Sequence, residues 1–260
     1  MKQSISIPTY VICLEREADR RRHIARHLES FNIDFQFSNA VDGRQLTEKE
    51  KNDKYSEKKA IDIRGRALAP GELGCYLSHC NIWHQMVEHN IQHALILESD
   101  AEFSEEAIAV INALNKFPAD WELIMLYYRD CYPSFWNQAP ITNNTKLVRF
   151  SNKSSCTTAY LLSLSGARKL LKHAYPLCLP VDDYMTGGYI NKGVNLYAAY
   201  PRTIELTEGS DETSVIRPDI NAMVGHDTLK ARKQKKQGAL KQLEKRSRRF
   251  IKQIMPAPWL

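Results

Sequence analysis

No apolar run in this chain approaches the ~20 residues that a membrane-spanning helix requires. The first residues, MKQSISIPTYVICLERE, hold only a short apolar stretch, with no long hydrophobic region and no small-residue cleavage site. That pattern is not a secretory signal, so the expected location is the cytosol. Paired cysteines are missing as well. Cys13, Cys75, Cys80, Cys131, Cys156 and Cys178 are scattered, and none forms a CxxC pair. Most sit inside apolar segments, which favours reduced, buried thiols and disfavours both disulfides and a zinc site. Neither GxxxxGK[ST] nor GxGxxG occurs, so P-loop and Rossmann nucleotide sites lack support. Internal repeats are absent.

Negative charge is scarce at one end. Residues 230 to 252 hold eleven Lys or Arg and a single Glu, a local charge of +10. The rest of the chain has 25 cations against 29 anions and is near −4, although the whole sequence is +6. The basicity belongs to a tail.

What is present is an alternation of short apolar runs and helical patterns. YVICL (10–14) is rich in β-formers. Asp19 then precedes Ile24, Leu28 and Phe31, spaced for one helix face, and IDFQFSNA alternates Ile33, Phe35 and Phe37. Strand, helix, strand in this order is a βαβ signal and predicts a parallel sheet. The polar stretch 44–66 lacks an apolar face and reads as a mobile loop with one short helix at most. Pro70 and Gly71 restart order with a helix to about residue 90. HALILE (93–98) reads as a strand, EEAIAVINALNKF (105–117) as a helix and WELIMLY (121–127) as a buried strand. Residues 130–155 read as irregular. CTTAYLLS (156–163) is the next strand, with Ser165 a candidate cap for the helix after it. Pro176 and Pro180 break the chain before VDDYMTGGYINKG, and VNLYAAYP (194–201) is the last ordered run. The expected organisation is one α/β domain over residues 1–228 and an extension over 229–260.

The stretch ALILESD (94–100) runs from a buried strand into two carboxylates, Glu98 and Asp100. Side chains at i and i+2 of a strand point the same way, so the two project together if the strand continues through them. Ligand sites of open α/β sheets lie at this end of the strands. Paired carboxylates repel unless a cation joins them, and Mg²⁺ or Mn²⁺ prefers oxygen ligands and substrate phosphates. The chemistry suggested is a metal-bound diphosphate. The plain alternative is two acids leaving a strand into solvent.

Six stretches in order along residues 9–217 carry a resemblance. They are VICLEREADRR (11–21), NAVDG (39–43), PGELGCYLSHCNIW (70–83), ALILESD, TTAYLLSLSGARKLL (157–171) and PVDD (180–183). Together they resemble bacterial glycosyltransferase family 25, the lipooligosaccharide galactosyltransferases and their relatives. Cys13 stands where the family usually has Asn, and Ser99 where it usually has Asp. The resemblance implies a GT-A-type nucleotide-sugar-binding α/β domain. It implies Mn²⁺ (or Mg²⁺) on Asp100, bridging the phosphates of a UDP-sugar, with Glu98 helping to hold nucleotide or metal. Ser99 is expected on the opposite side of the strand by the period of two.

Family 25 enzymes invert the anomeric centre, which requires a base for the acceptor hydroxyl. Asp182 and Asp183 are the candidates. Asp182 fits the motif more closely, and the alternative for each is a plain helix cap. Motif position makes Ser78 and His79 candidate sugar- or carboxylate-binding residues, against an interior role. Arg16 is the candidate for the diphosphate or uracil. Arg20, Arg21 and Arg22 read equally well as a solvated helix face, and Trp83 as core. UDP-galactose is the favoured donor and a β-1,4-linking galactosyltransferase the implied activity.

The tail, LKARKQKKQGALKQLEKRSRRFIKQIM (229–255), repeats Leu240, Leu243, Phe250, Ile251 and Ile254 at helical spacings among cations. It reads as a basic amphipathic helix for an anionic inner-leaflet surface, with Trp259 as an interfacial anchor. A lipid-linked oligosaccharide acceptor would suit a peripheral enzyme on the cytoplasmic face of the inner membrane. No nucleic acid is expected, because aromatic interleaving is sparse and the body is acidic. The competing reading is a non-catalytic glycosyltransferase-like binding protein that lost its metal through Ser99.

Overall fold

The computed structural model describes residues 5–150, 153–187, 193–210, 216 and 218–220. The chain divides into two compact units, residues 1–214 and residues 215–260. The predicted basic helix over 229–260 lies outside the described residues.

The first strand, β1 (Thr9–Cys13), is buried along its whole length. Such a run belongs to a strand covered on both faces. The helix α1 (Ala18–Ser30) buries Ile24 and Leu28, and β2 (Gln36–Asn39) returns parallel to β1. The predicted βαβ unit is therefore present.

Residues 44–66 depart from the expected loop and hold two helices, α2 (Glu48–Lys54) and α3 (Glu57–Arg64). Their caps are local. Glu50 N–H donates to Thr47 Oγ1 at 3.2 Å while Thr47 N–H donates back to Glu50 at 2.9 Å, a reciprocal capping box. Ser56 caps α3, and Gly65 at φ 76° ends it in the left-handed region. No residue of α2 is buried and Ala60 alone is buried in α3, so neither helix writes an apolar period.

The helix α4 (Pro70–Glu88) starts with Pro at its first turn and buries Leu73, Tyr76, Leu77, Ile82, Trp83 and Met86. Glu72 accepts the Ala69 N–H at 2.8 Å and a two-pronged Arg66 contact, 2.7 Å at each oxygen. Next come β3 (His93–Glu98), β4 (Ala101–Phe103) and α5 (Glu105–Ile111), which is shorter than predicted because the chain tightens into a 3₁₀ turn at Leu114–Lys116. After β5 (Leu123–Met125), the stretch predicted irregular forms a hairpin, β6 (Pro133–Pro140) and β7 (Lys146–Phe150). β6 is one of the sheet's two edge strands, and its register shifts between Ser134 and Ala139. An edge tolerates proline, which hides such a strand from a sequence reading.

The buried strand β8 (Ala159–Ser163) leads into α6 (Leu164–Lys172). Ser163 caps α6, accepting the Gly166 N–H at 3.1 Å, so the predicted cap Ser165 is two residues too late. Then follow α7 (Val181–Gly187), β9 (Leu196–Tyr200) and β10 (Ile204–Leu206), which pairs with β4.

The large sheet runs β2-β1-β3-β8-β5-β9-β7-β6. It is mixed: β8 and β7 oppose the other six strands. Each face has its own core. Ile12, Ile96, Met125, Tyr160 and Ala198 pack with α4, α6 and α7. Val11, Leu97, Ile124, Leu161 and Tyr197 pack with α1 and α5. This alternation is the period of two, buried on both sides.

Candidate functional site

The carboxyl ends of β1, β2 and β3 share one edge of the sheet, and β8, being antiparallel, begins there. Residues 156–158 therefore arrive beside the end of β3. Glycines let a loop close over this edge. A Cβ on Gly74 would meet the Val41 carbonyl and stand 2.6 Å from Gly43 N, and a Cβ on Gly43 would meet the Pro70 carbonyl. The turn NAVDG thus lies directly on the first turns of α4. Ser78 locks it there, accepting the Val41 N–H at 2.8 Å and donating to Gly74 O at 2.6 Å. Ser78 is fully buried, with its hydroxyl committed to backbone. Arg16, half-exposed, pairs with Asp42 of the same turn.

The strand β3 stops at Glu98, and Ser99 and Asp100 form a turn. The condition for the i, i+2 argument is therefore not met, and Ser99 does not lie across a strand from Asp100. Both line a pocket of about 220 Å³ with Asp19, Arg20, His23 and Thr207. Glu98 is directed elsewhere. Its Oε1 accepts the Thr157 hydroxyl at 2.5 Å and lies 3.4 Å from Nε2 of the fully buried His79.

The electrostatics separate the two acids. Burial pushes Glu98 up, but His79 and Thr157 outweigh it and hold the carboxyl below its ordinary range. Asp100 is pushed up to about 7 by burial and by Glu98, with Arg20 and Arg129 opposing. Its Oδ1 is buried and has no hydrogen-bond partner among the described residues. An orphaned buried carboxylate oxygen is costly unless a cation or a proton meets it. A hard divalent cation therefore fits at Asp100.

Asp182 and Asp183 start α7 and have different surroundings. Asp183 is buried and pairs with Lys153 at 2.6 Å and with Arg64. Asp182 accepts N–H groups of Cys156 at 3.2 Å and Asp183 at 2.8 Å. Burial raises its pKa, with the Cys156 N–H and Arg64 opposing, and Glu72 and Glu98 adding. Cys156 holds φ at 75°, which is uncommon for a residue with a Cβ and aims its N–H at Asp182. Burial pushes the Cys156 thiol up to about 12, helped by Glu98, Asp182 and Asp100 and opposed by Arg129. Glu98, Asp182 and Asp100 thus all lie near enough to Cys156 for their charges to act on its thiol.

Sequence reasoning missed Arg129 and Thr157, and it set Arg20 behind Arg16 as a candidate for the pocket. Arg20 is one helical turn beyond Arg16, and α1 places it in the Asp100 pocket. That register was legible once the helix start was known. Arg129 and Thr157 depend on the direction of β8, which no local pattern reports. Arg21, by contrast, is structural: it donates to the carbonyls of Cys13 and Leu14 and covers Phe37, 4.6 Å from the ring centroid.

Known proteins resemble this chain as follows. The family model described as glycosyltransferase family 25 (LPS biosynthesis protein) matches residues 6–185. Procollagen galactosyltransferase 1-B of Xenopus laevis is 33% identical over 218 residues, covering 80% of this chain and 35% of that protein. A glycosyltransferase 25 family member of Anopheles gambiae is 34% identical over 185 residues, covering 68% of this chain and 30% of that protein. The chain spans about a third of the length of these curated relatives. The crystal structure of a glycosyltransferase involved in the glycosylation of the major capsid of PBCV-1 matches with 11% identity and a TM-score of 0.40, covering 74% of this chain and 80% of that one.

Proposed function

The chain belongs to glycosyltransferase family 25, and from that premise we propose that it is a metal-dependent, inverting transferase with a GT-A-type domain. It moves a hexose, galactose favoured, from a UDP-sugar to a lipid-linked saccharide of the lipooligosaccharide or lipopolysaccharide core. The names of the relatives support galactose, the description of the family supports the acceptor, and the basic tail supports a membrane-bound substrate. A β-1,4 linkage and work at the cytoplasmic face of the inner membrane complete the reading.

The observation that carries it is the orphaned Asp100 oxygen beside Arg20 in the pocket at the sheet edge. Asp100, with Glu98, would hold Mn²⁺ or Mg²⁺, whose chemistry there is to neutralise a diphosphate leaving group. Arg20 adds a second positive charge for the phosphates. Asp182 is the base. The acceptor hydroxyl gives its proton to the Asp182 carboxylate as its oxygen bonds to the anomeric carbon, and the bond from that carbon to the UDP oxygen breaks on the opposite face. A raised pKa makes Asp182 a better proton acceptor than an ordinary aspartate, and two backbone N–H groups fix its aim. Asp183, held between Arg64 and Lys153, is the structural member of the pair. Ser78 acts as a clamp on the loop, and His79 orients Glu98.

The test is transfer and hydrolysis of UDP-galactose and UDP-glucose, with and without Mn²⁺, by the full chain and by Asp100→Ala. Metal-dependent turnover lost in Asp100→Ala is expected. No turnover and no thermal protection by any UDP-sugar would leave the non-catalytic reading, with Ser99 as its cause.

A further inference from the structure

Beside the end of β3 lies a cluster of which the transfer reaction uses only Glu98 and, through it, His79. Cys75 and His79 stand four residues apart on α4, so they share one helix face. Glu98 faces them from the end of β3. The Sγ, imidazole nitrogen and carboxylate oxygen of these three all lie within 4.8 Å of one another. A second observation points to a ligand. His79 is fully buried, yet its Nε2 makes no hydrogen bond among the described residues. Its distance to Glu98 Oε1 is 3.4 Å, outside the 2.7–3.2 Å range usual for N–H···O hydrogen bonds. Two ligand atoms bonded to one tetrahedral Zn²⁺ sit roughly 3.4 Å apart.

We propose that Cys75, His79 and Glu98 form a Zn²⁺ site. A thiolate, an imidazole and a carboxylate suit zinc and not Mg²⁺ or Mn²⁺, which take oxygen. Outer partners are in place. His79 Nδ1 is 2.8 Å from Tyr160 Oη, which also accepts the Trp83 N–H at 3.1 Å. Thr157 donates to Glu98. Such contacts orient metal ligands and fix the imidazole tautomer. Zinc here would tie α4 to the end of β3 and hold the ESD turn from behind. The scattered cysteines concealed the site, because only one is a ligand and its third partner comes from a strand. Glu98 also appears in the proposed donor site, with His79 orienting it there, whereas Cys75 belongs to this one alone.

The full-length chain, stripped with chelator, is titrated with Co²⁺ and followed by absorption. One equivalent should give a thiolate-to-cobalt charge-transfer band and tetrahedral visible bands, both displaced by Zn²⁺. Cys75→Ser should lose the charge-transfer band, and Asp100→Ala should keep it whether or not any sugar transfer is ever detected. No band in the wild-type chain, or a band that survives Cys75→Ser, overturns the proposal. Because Cys75→Ser could fail to fold, cadmium-113 NMR of the wild-type chain supplies an independent reading. One resonance at the shift of a single-sulfur site supports the assignment. An absent resonance, or one at an all-oxygen or multi-thiolate shift, refutes it.

Discussion

Replacing Asp100 with Asn should make this protein's stability less dependent on pH when no divalent cation is present. The native carboxyl is pushed from 3.8 to about 7 by burial and by Glu98. A native value above the unfolded one means that the folded chain holds this proton more tightly. The contribution is complete below the unfolded value and is lost as pH rises through about 7. Between pH 5 and pH 8 the linkage amounts to about 2.5 kcal/mol of lost stability in the wild type. The low value of Glu98 adds little in that window, since its own carboxyl is ionised throughout. Asn keeps the shape and cannot ionise. Urea unfolding in chelator at both pH values should therefore show Asp100→Asn gaining about 2 kcal/mol on wild type in going from pH 5 to pH 8. Adding Mn²⁺ at pH 8 should reverse the order, because only the carboxylate gains from the cation. Parallel pH dependence in the two proteins would refute the claim that burial destabilises the charged form at this position.

Asp182→Asn should lower turnover by roughly 10²–10⁴-fold with UDP affinity little changed, as measured by steady-state kinetics and calorimetry. Asp183→Asn should instead cost about 3–5 kcal/mol in denaturant midpoint, because it leaves the charges of Arg64 and Lys153 against a neutral buried amide; a stable but inactive Asp183→Asn would exchange the two roles. Gly74→Ala should destabilise by at least ~1–3 kcal/mol, since the new Cβ meets backbone that has nowhere to move; wild-type stability would contradict the close approach of the 39–43 turn. Deleting residues 229–260 should abolish co-sedimentation with anionic vesicles while leaving transfer to a short soluble acceptor intact; equal sedimentation of both forms would remove the membrane role.

Elements with a strong apolar period were legible. β1, α1, α4, β3, β8 and β9 appear where Val11, Leu28, Leu77, Leu95, Leu161 and Ala198 put them. Elements held by polar chemistry were not. α2 and α3 exist through Thr47, Glu50, Ser56 and Gly65, and their surfaces carry no core pattern. The edge hairpin was hidden by Pro133 and Pro140. For the candidate site, Glu98, Asp100, Asp182 and His79 were singled out because strand ends and motif order point to them. Ser78 was placed with them by motif order, but its hydroxyl serves the backbone. Arg129, Cys156 and Thr157 escaped because their arrival depends on β8 running against its neighbours, which is a property of the whole sheet.

That reversed strand also sets the order in which the protein can be made. β5 pairs only with β8 and β9, and both follow it in the chain. A nascent chain that has emerged to residue 150 therefore presents β5 with two vacant edges and β3 with one. Thr157 has not yet reached Glu98, and Thr207 has not reached Asp100. Such edges invite pairing with other chains. The Asp100 pocket should consequently appear late in synthesis and all at once, and release of chains that stop before β9 should yield aggregates rather than a partly folded domain.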